Sequence, residues 1–179
     1  MRIIGGLHRG YRFHPPRNNP ARPTTDIAKE GLFNILTNQF DFSSLKVLDI
    51  FGGTGSISYE FASRGCEDIT TVERHYPNVQ FIKQTATHLQ LNIQVFKQDV
   101  FKYIKQCDFQ FDAIFAGPPY PLKTIPAIPS LIFEKSLLKP GGWLILEHNP
   151  NHQFEEEPYF LKARNYGSTI FSIFENTSS

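Results

Sequence analysis

The chain has 179 residues, 40% hydrophobic and 20% charged, with a formal net charge of +1. That is about one domain's worth of chain, enough to bury roughly two-thirds of its unfolded surface around one core. No run approaches the roughly 18 apolar residues of a membrane span, the opening Met1–Gly6 lacks the apolar stretch of a secretory signal, and the isolated Cys66 and Cys107 lack metal-ligand spacing, so a cytoplasmic protein with reduced thiols and no metal is expected.

Charge is unevenly spread. Residues 1–30 hold six cations (Arg2, Arg9, Arg12, Arg17, Arg22 and Lys29) against Asp26 and Glu30, a net +4 that leaves −3 for the rest of the chain. A basic arm on a slightly acidic body suits an anionic polymer, because arginines displace counterions from phosphates. His8, Arg9, Tyr11, Arg12 and Arg17 interleave cations with aromatics, a combination that holds phosphates and stacks on bases. Glycines and prolines limit residues 1–23 to short strands near Ile3–Ile4 and Tyr11–Phe13. Thr24 and Thr25 precede Asp26, and Ile27, Gly31, Leu32, Ile35 and Leu36 recur at helical spacing, which predicts a capped amphipathic helix over 25–37 with Leu32 and Phe33 in packing roles.

From Lys46 the pattern alternates. Strands are predicted at Val47–Phe51, Ile69–Glu73, Ile93–Lys97, Phe111–Ala116 and Trp143–Glu147. Helices fall between them over 56–64, 77–91, 100–105 and 125–138, and Lys139–Gly142 reads as the turn before the fifth strand. Tyr159–Arg164 and Thr169–Glu175, around Tyr166 and Gly167, predict an antiparallel hairpin. Alternation of this kind gives an α/β fold, a mostly parallel sheet covered by helices on both faces, with ligands at the carboxyl ends of the strands.

The first strand closes on Asp49 and runs through Phe51, Gly52, Gly53, Thr54 and Gly55 into a helix. Glycines at 53 and 55 permit a tight turn that lies against a ligand, and the helix start offers unpaired N–H groups. This is the signature of a nucleotide-cofactor loop. Asp49 is a candidate acceptor for a ligand ammonium or hydroxyl. Glu73 ends the second strand 20 residues after Gly53, where a carboxylate accepts from ribose hydroxyls of an adenosine moiety. Asp99, after the third strand, either accepts from an adenine amine or caps the next helix. Both S-adenosylmethionine and NAD satisfy this set, and Ser58, at the place of the third small residue of the dinucleotide fingerprint, weakens NAD.

The fourth strand ends in Gly117-Pro118-Pro119-Tyr120. Two prolines fix the backbone and hold the Pro118 carbonyl in place, and the Tyr120 ring is placed to stack on a planar substrate. With Arg2-Ile3-Ile4-Gly5-Gly6, Arg22-Pro23-Thr24-Thr25-Asp26, Leu32-Phe33-Asn34-Ile35-Leu36 and Leu48-Asp49-Ile50-Phe51-Gly52-Gly53-Thr54-Gly55, the chain resembles, end to end, the RsmD-type bacterial 16S rRNA guanine-N2 methyltransferases, which are class I S-adenosylmethionine-dependent enzymes. The resemblance implies a Rossmann-like seven-stranded sheet with its last strand antiparallel. It implies S-adenosylmethionine held by Asp49, Phe51, Gly53, Gly55, Glu73 and Asp99, and a catalytic loop of Gly117, Pro118, Pro119 and Tyr120. Residues 1–40 become a basic extension and helix packed on the methyltransferase domain, 41–179, with Arg9, Arg12, Arg17 and Arg22 as phosphate contacts. The implied partner is 16S rRNA or the assembling small ribosomal subunit, and nothing demands more than a monomer.

One departure matters. The family's tetrapeptide begins with Asp or Asn, whose side chain accepts a hydrogen bond from the guanine amine; Gly117 has no such acceptor. The loss of one directed acceptor is worth on the order of 3 kcal/mol, about a hundredfold in rate. Three readings follow: impaired catalysis, a silent RNA-binding member of the family, or another carboxylate in the same crevice. For the last, Glu147 is the candidate, because it ends the strand expected beside the fourth. His148 is the adjacent candidate base, but a methylated ammonium loses its proton to water, so no dedicated base is required. A DNA amino-methyltransferase is the variant on the same loop, and a nicotinamide oxidoreductase leaves the loop and the arm unexplained.

Overall fold

The computed structural model describes residues 1–178. Seven strands form one sheet: β1 (Lys46–Ile50), β2 (Asp68–Glu73), β3 (Ile93–Lys97), β4 (Phe111–Ala116), β5 (Leu138–His148), β6 (Phe160–Tyr166) and β7 (Thr169–Glu175). Their order is β3-β2-β1-β4-β5-β7-β6. β1 to β5 are parallel, and β7 runs antiparallel between β5 and β6. The strand order reverses between β1 and β4, which makes their carboxyl ends the crevice where ligands of such sheets bind.

Five helices cover the sheet: α1 (Asp26–Gln39), α2 (Ser56–Ser63), α3 (Tyr76–Leu89), α4 (Val100–Gln106) and α5 (Ile128–Glu134). Successive strand residues point to opposite faces, and the two main core clusters divide accordingly. Val47, Ala113, Phe115, Trp143 and Ile145 pack with α1 and α2 through Leu32, Phe33, Ile57 and Phe61. Leu48, Ile114, Leu144 and Leu146 pack with α4 and α5 through Ile104 and Ile132. A sheet buried on both faces requires near-continuous apolar strands. α1 starts where Thr25 Oγ1 accepts from the Ala28 N–H at 3.2 Å. Its fully buried Leu32, Phe33 and Leu36 each contribute about 1.5–3 kcal/mol.

Three local expectations change. Strands near Ile3 and Tyr11 reduce to a single bridge between Arg2 and Arg12; Ile3 and Phe13 are buried against Tyr59 and Ile82, and the backbone between them is tied to α2 by Ile4 N to Glu60 Oε1 at 2.6 Å and Leu7 N to Ser63 O at 2.7 Å. The helix over 125–138 splits into a 3-10 turn, Ile125–Ala127, and a shorter α5, and Ser136 takes a left-handed φ of +56° as the chain turns toward β5. Lys139–Gly142 lies inside β5 as a bulge, flanked by the pairs Phe111–Leu138 and Ala113–Trp143. Backbone hydrogen bonds from Gly141 N to Asn176 O and from Asn176 N to Gly142 O keep this turn-like sequence within the sheet.

Candidate active site

A cavity of about 650 Å³ opens at the carboxyl ends of β1, β2, β4 and β5. It is bordered by the Gly turn, by the starts of α3 and α4, by the loop after β4, and by a strap of residues 20–24 that precedes α1.

On one side the backbone turns sharply after β1. Phe51 (φ +60°), Gly53 (φ +58°) and Gly55 (φ +89°) are all left-handed. Only glycine serves at 55, because a Cβ there would lie 2.6 Å from the Tyr59 ring. Glu73 ties this turn to β2: one carboxylate oxygen accepts from Gly53 N at 2.5 Å, and the other accepts from Arg74 N and His75 N, each at 2.9 Å. With about four acceptor sites on a carboxylate, these three donors leave room for one ligand hydroxyl rather than two. Asp49 is 1% exposed and accepts from Ser58 Oγ at 2.6 Å. Burial pushes its carboxyl up to about 7, against the Ser58 hydrogen bond and reinforced by the charge of Glu73. Asp99 does cap α4, accepting from Lys102 N at 3.1 Å, and also borders the cavity beside Phe101. Phe51 and Phe101 meet edge to face with ring centroids 6.1 Å apart.

The other side is assembled from distant segments. Ala116 pairs with Leu146, so Gly117 and Glu147 emerge side by side from adjacent strands. Glu147 is 7% exposed. The Thr24 hydroxyl lies 3.2 Å from both its oxygens and donates to the carboxylate. Burial pushes Glu147 up to about 7, opposed by the Thr24 hydrogen bond and the Arg22 charge. The Arg22 guanidinium covers the Tyr120 ring at 4.8 Å from its centroid, so one stacking face of Tyr120 is already occupied. The Tyr120 hydroxyl is buried without a hydrogen-bond partner, and the Glu147 charge adds to burial in raising its pKa.

Asp49, Phe51, Gly53, Glu73, Asp99, Gly117, Pro118, Pro119, Tyr120 and Arg22 thus border one cavity, while Gly55 acts beneath it through the backbone. Arg9, Arg12 and Arg17 are exposed, outside the cavity lining, and without ion pairs among the described residues. Lys29 leaves the basic arm: it is 1% exposed, pairs with Glu60 at 3.1 Å and donates to Ser56 Oγ and Arg2 O. Arg2 pairs with Asp26 at 2.8 Å. His148 is buried, with Nε2 2.7 Å from Ser172 Oγ and Nδ1 2.8 Å from Asn149 O, outside the cavity lining. Thr24 and Phe101 are additions that sequence reasoning passed over. The signal for Phe101 was its place two residues after the Asp99 cap; for Thr24, its place just before the α1 cap gave no hint of the cavity.

Comparisons with known proteins place this arrangement. The model of a family described as conserved hypothetical protein 95 matches residues 1–175. The chain is 30% identical, over 98% of both chains, to the Bacillus subtilis protein YlbH, provisionally named an rRNA methyltransferase. It is 29% identical to ribosomal RNA small subunit methyltransferase D of Haemophilus influenzae, over 98% of this chain and 94% of that one. Among solved structures, hypothetical protein TTHA0928 of Thermus thermophilus superposes with a TM-score of 0.86 at 26% identity, covering 98% of this chain and 99% of that one.

Proposed function

Because the chain belongs to the RsmD-type family of class I methyltransferases, we propose that it is an S-adenosylmethionine-dependent rRNA methyltransferase. Its substrate in this reading is the N2 amine of a guanine in 16S rRNA of the small subunit, and it acts in the cytoplasm. The observation that carries the proposal is the meeting of the Gly turn and its carboxylates with the Gly117–Tyr120 loop across a single cavity.

The residues present fit the cofactor. A volume of about 650 Å³ lies within the usual range of small-molecule sites, roughly 300–1,000 Å³. Asp49 is a buried carboxylate pushed up to about 7, and a ligand cation beside it would hold it ionised. Glu73 has acceptor capacity for one ribose hydroxyl, and Asp99 and Phe101 offer an edge and a ring for adenine. When bound, S-adenosylmethionine supplies an electrophilic methyl group on a cationic sulfur. The chain's own contribution is placement: the proline-fixed loop holds the Pro118 carbonyl toward the substrate, and the free face of Tyr120 receives the base. The strap, through Thr24 and Arg22, closes the substrate side against water. A guanine stacked in a duplex cannot enter such a cavity, so the target lies in a loop or is flipped out.

The arm supports an RNA partner through Arg9, Arg12, Arg17 and Arg22, its exposed cations without an ion pair among the described residues. In this reading residues 1–40 are an RNA-binding extension on a 41–179 methyltransferase domain. The test is transfer of labelled methyl from S-adenosylmethionine to small-subunit rRNA that lacks its own modification, followed by digestion. N2-methylguanine is the expected product. A different methylated nucleoside would remove the N2 assignment, and cofactor and RNA binding without transfer would leave the silent RNA-binding reading in its place.

A further inference from the structure

An exocyclic amine conjugated to a purine is a poor nucleophile, and its lone pair is directed only when both N–H bonds have acceptors. In the loop after β4 the Pro118 carbonyl is one acceptor, and Gly117 supplies no second one. The volume that a side chain at 117 would enter is already in use. A Cβ built on Gly117 would lie 3.0 Å from Phe115 Cε1 and 3.2 Å from Glu147 Oε2, so any carboxylate or amide growing from 117 would press on the Phe115 ring and compete with Glu147 for the same space. Glu147 comes from the neighbouring strand, stands beside Gly117 by the register of β4 and β5, and borders the cavity.

We propose that Glu147 is the second acceptor for the substrate amine, replacing from β5 the side chain that Gly117 lacks. This rests on the methyltransferase reading above. The Thr24 hydroxyl is shared between the two carboxylate oxygens, and the Tyr120 hydroxyl stands near enough for each group to shift the other's pKa. A carboxylate has about four acceptor sites, so sites remain for an incoming N–H even with both hydroxyls counted. During transfer the nitrogen lone pair forms the new N–CH3 bond, the S–CH3 electron pair stays on sulfur, and the nitrogen becomes cationic before it sheds one proton to water. A buried carboxylate at hydrogen-bond reach stabilises that developing charge more than it stabilises the neutral amine, which is the condition for acceleration. The small residue at 117 then has a positive reason: Gly117 makes room for Glu147 beside the Phe115 ring.

The test compares the unaltered protein with Glu147→Ala, Gly117→Asp and the double variant, reading turnover on unmodified small-subunit rRNA, S-adenosylmethionine affinity by calorimetry, and thermal stability. Glu147→Ala removes the acceptor and should lose about a hundredfold in turnover with cofactor affinity little changed. Gly117→Asp alone should also lose turnover, because two carboxylates crowd one space. The double variant, in which the truncation at 147 frees that space, should recover at least about tenfold over Glu147→Ala, with the acceptor restored from 117; a merely structural Glu147 gives no such recovery. Full activity in Glu147→Ala, or a double variant that folds but turns over no better than Glu147→Ala, would overturn the proposal while leaving the methyltransferase reading intact. Gain of turnover in Gly117→Asp alone would overturn it too, and inactivity of the unaltered protein would remove the methyltransferase reading and this proposal together.

Discussion

On the β1–β2 side of the cavity, Glu73 accepts from Gly53 only 20 residues earlier in the chain. On the β4–β5 side, Thr24 reaches Glu147 across 123 residues. The core of the first side is made by one repeat of the fold, strand, turn, helix, strand, so most of its chemistry is packed into a short motif, with Asp99 and Phe101 added from the start of α4. The second side exists only when β5 has docked beside β4 and the strap ahead of α1 has come down over both. One fold therefore holds a largely self-contained ligand cradle next to a composite one, and changes on the two sides should have separable consequences.

After Glu147, the largest separable effect is expected at Glu73. Glu73→Gln sets an amide N–H2 either against the Gly53 N–H or against the Arg74 and His75 N–H groups, which two different carboxylate oxygens now satisfy. The turn loses its tie and a ribose loses its acceptor, at a cost of about 2 kcal/mol in cofactor affinity, roughly thirtyfold. RNA affinity should stay at the level of the unaltered protein. Parallel titrations with S-adenosylmethionine and with rRNA check this, and an equal loss of both affinities would show that the two sides are not independent.

The same division explains what could be read before the fold was in hand. Asp49, Gly53, Gly55, Glu73 and Asp99 stand at strand ends and turns of a repeating pattern, so spacing alone places them together. Glu147 was reachable only through the argument that its strand lies beside the fourth. Thr24 was hidden, because its Thr-Thr-Asp context has a complete local explanation as a helix start. Lys29 misled for a related reason: a charge count treats every cation as solvated. Its spacing from Leu32, Phe33 and Leu36 on the buried face of α1 was the signal that it points inward, where Glu60, itself 0% exposed, satisfies it. The bulge in β5 was read as a turn because Pro140, Gly141 and Gly142 are turn residues; its place in the sheet depends on Asn176, far along the chain.

A smaller effect, confined to the composite side, is expected at Thr24. Thr24→Val keeps the shape and removes the hydroxyl shared between the two Glu147 oxygens. A shared hydrogen bond to a charged group is worth about 1 kcal/mol, so turnover should fall about fivefold with cofactor affinity unchanged. The pH profile gives the sign. Glu147 sits at about 7 among Arg22, Tyr120 and Asp49, and the Thr24 hydrogen bond lowers its pKa by favouring the ionised form. Without that bond its pKa rises, and the acid limb of activity, where the carboxylate must be ionised to accept, moves to higher pH. An unmoved limb would detach Thr24 from Glu147.

The smallest effect per residue belongs to the arm, and it asks which side of the cavity the arm serves. Arg22 already lies over Tyr120 on the composite side, whereas Arg9, Arg12 and Arg17 are exposed away from the lining. If those three grip phosphates while Arg22 borders the base, each Arg→Gln change at 9, 12 or 17 should weaken RNA binding similarly across sequences and lower the slope of log affinity against log salt by about one. S-adenosylmethionine affinity should not move, because none of the three approaches the Gly turn. A triple variant with an unchanged slope would take the arm out of RNA recognition and leave Arg22 as the strap's own cation. A triple variant that lost cofactor affinity would instead tie the arm to the β1–β2 side, through Ile3 and Phe13 packed on Tyr59 beneath Gly55.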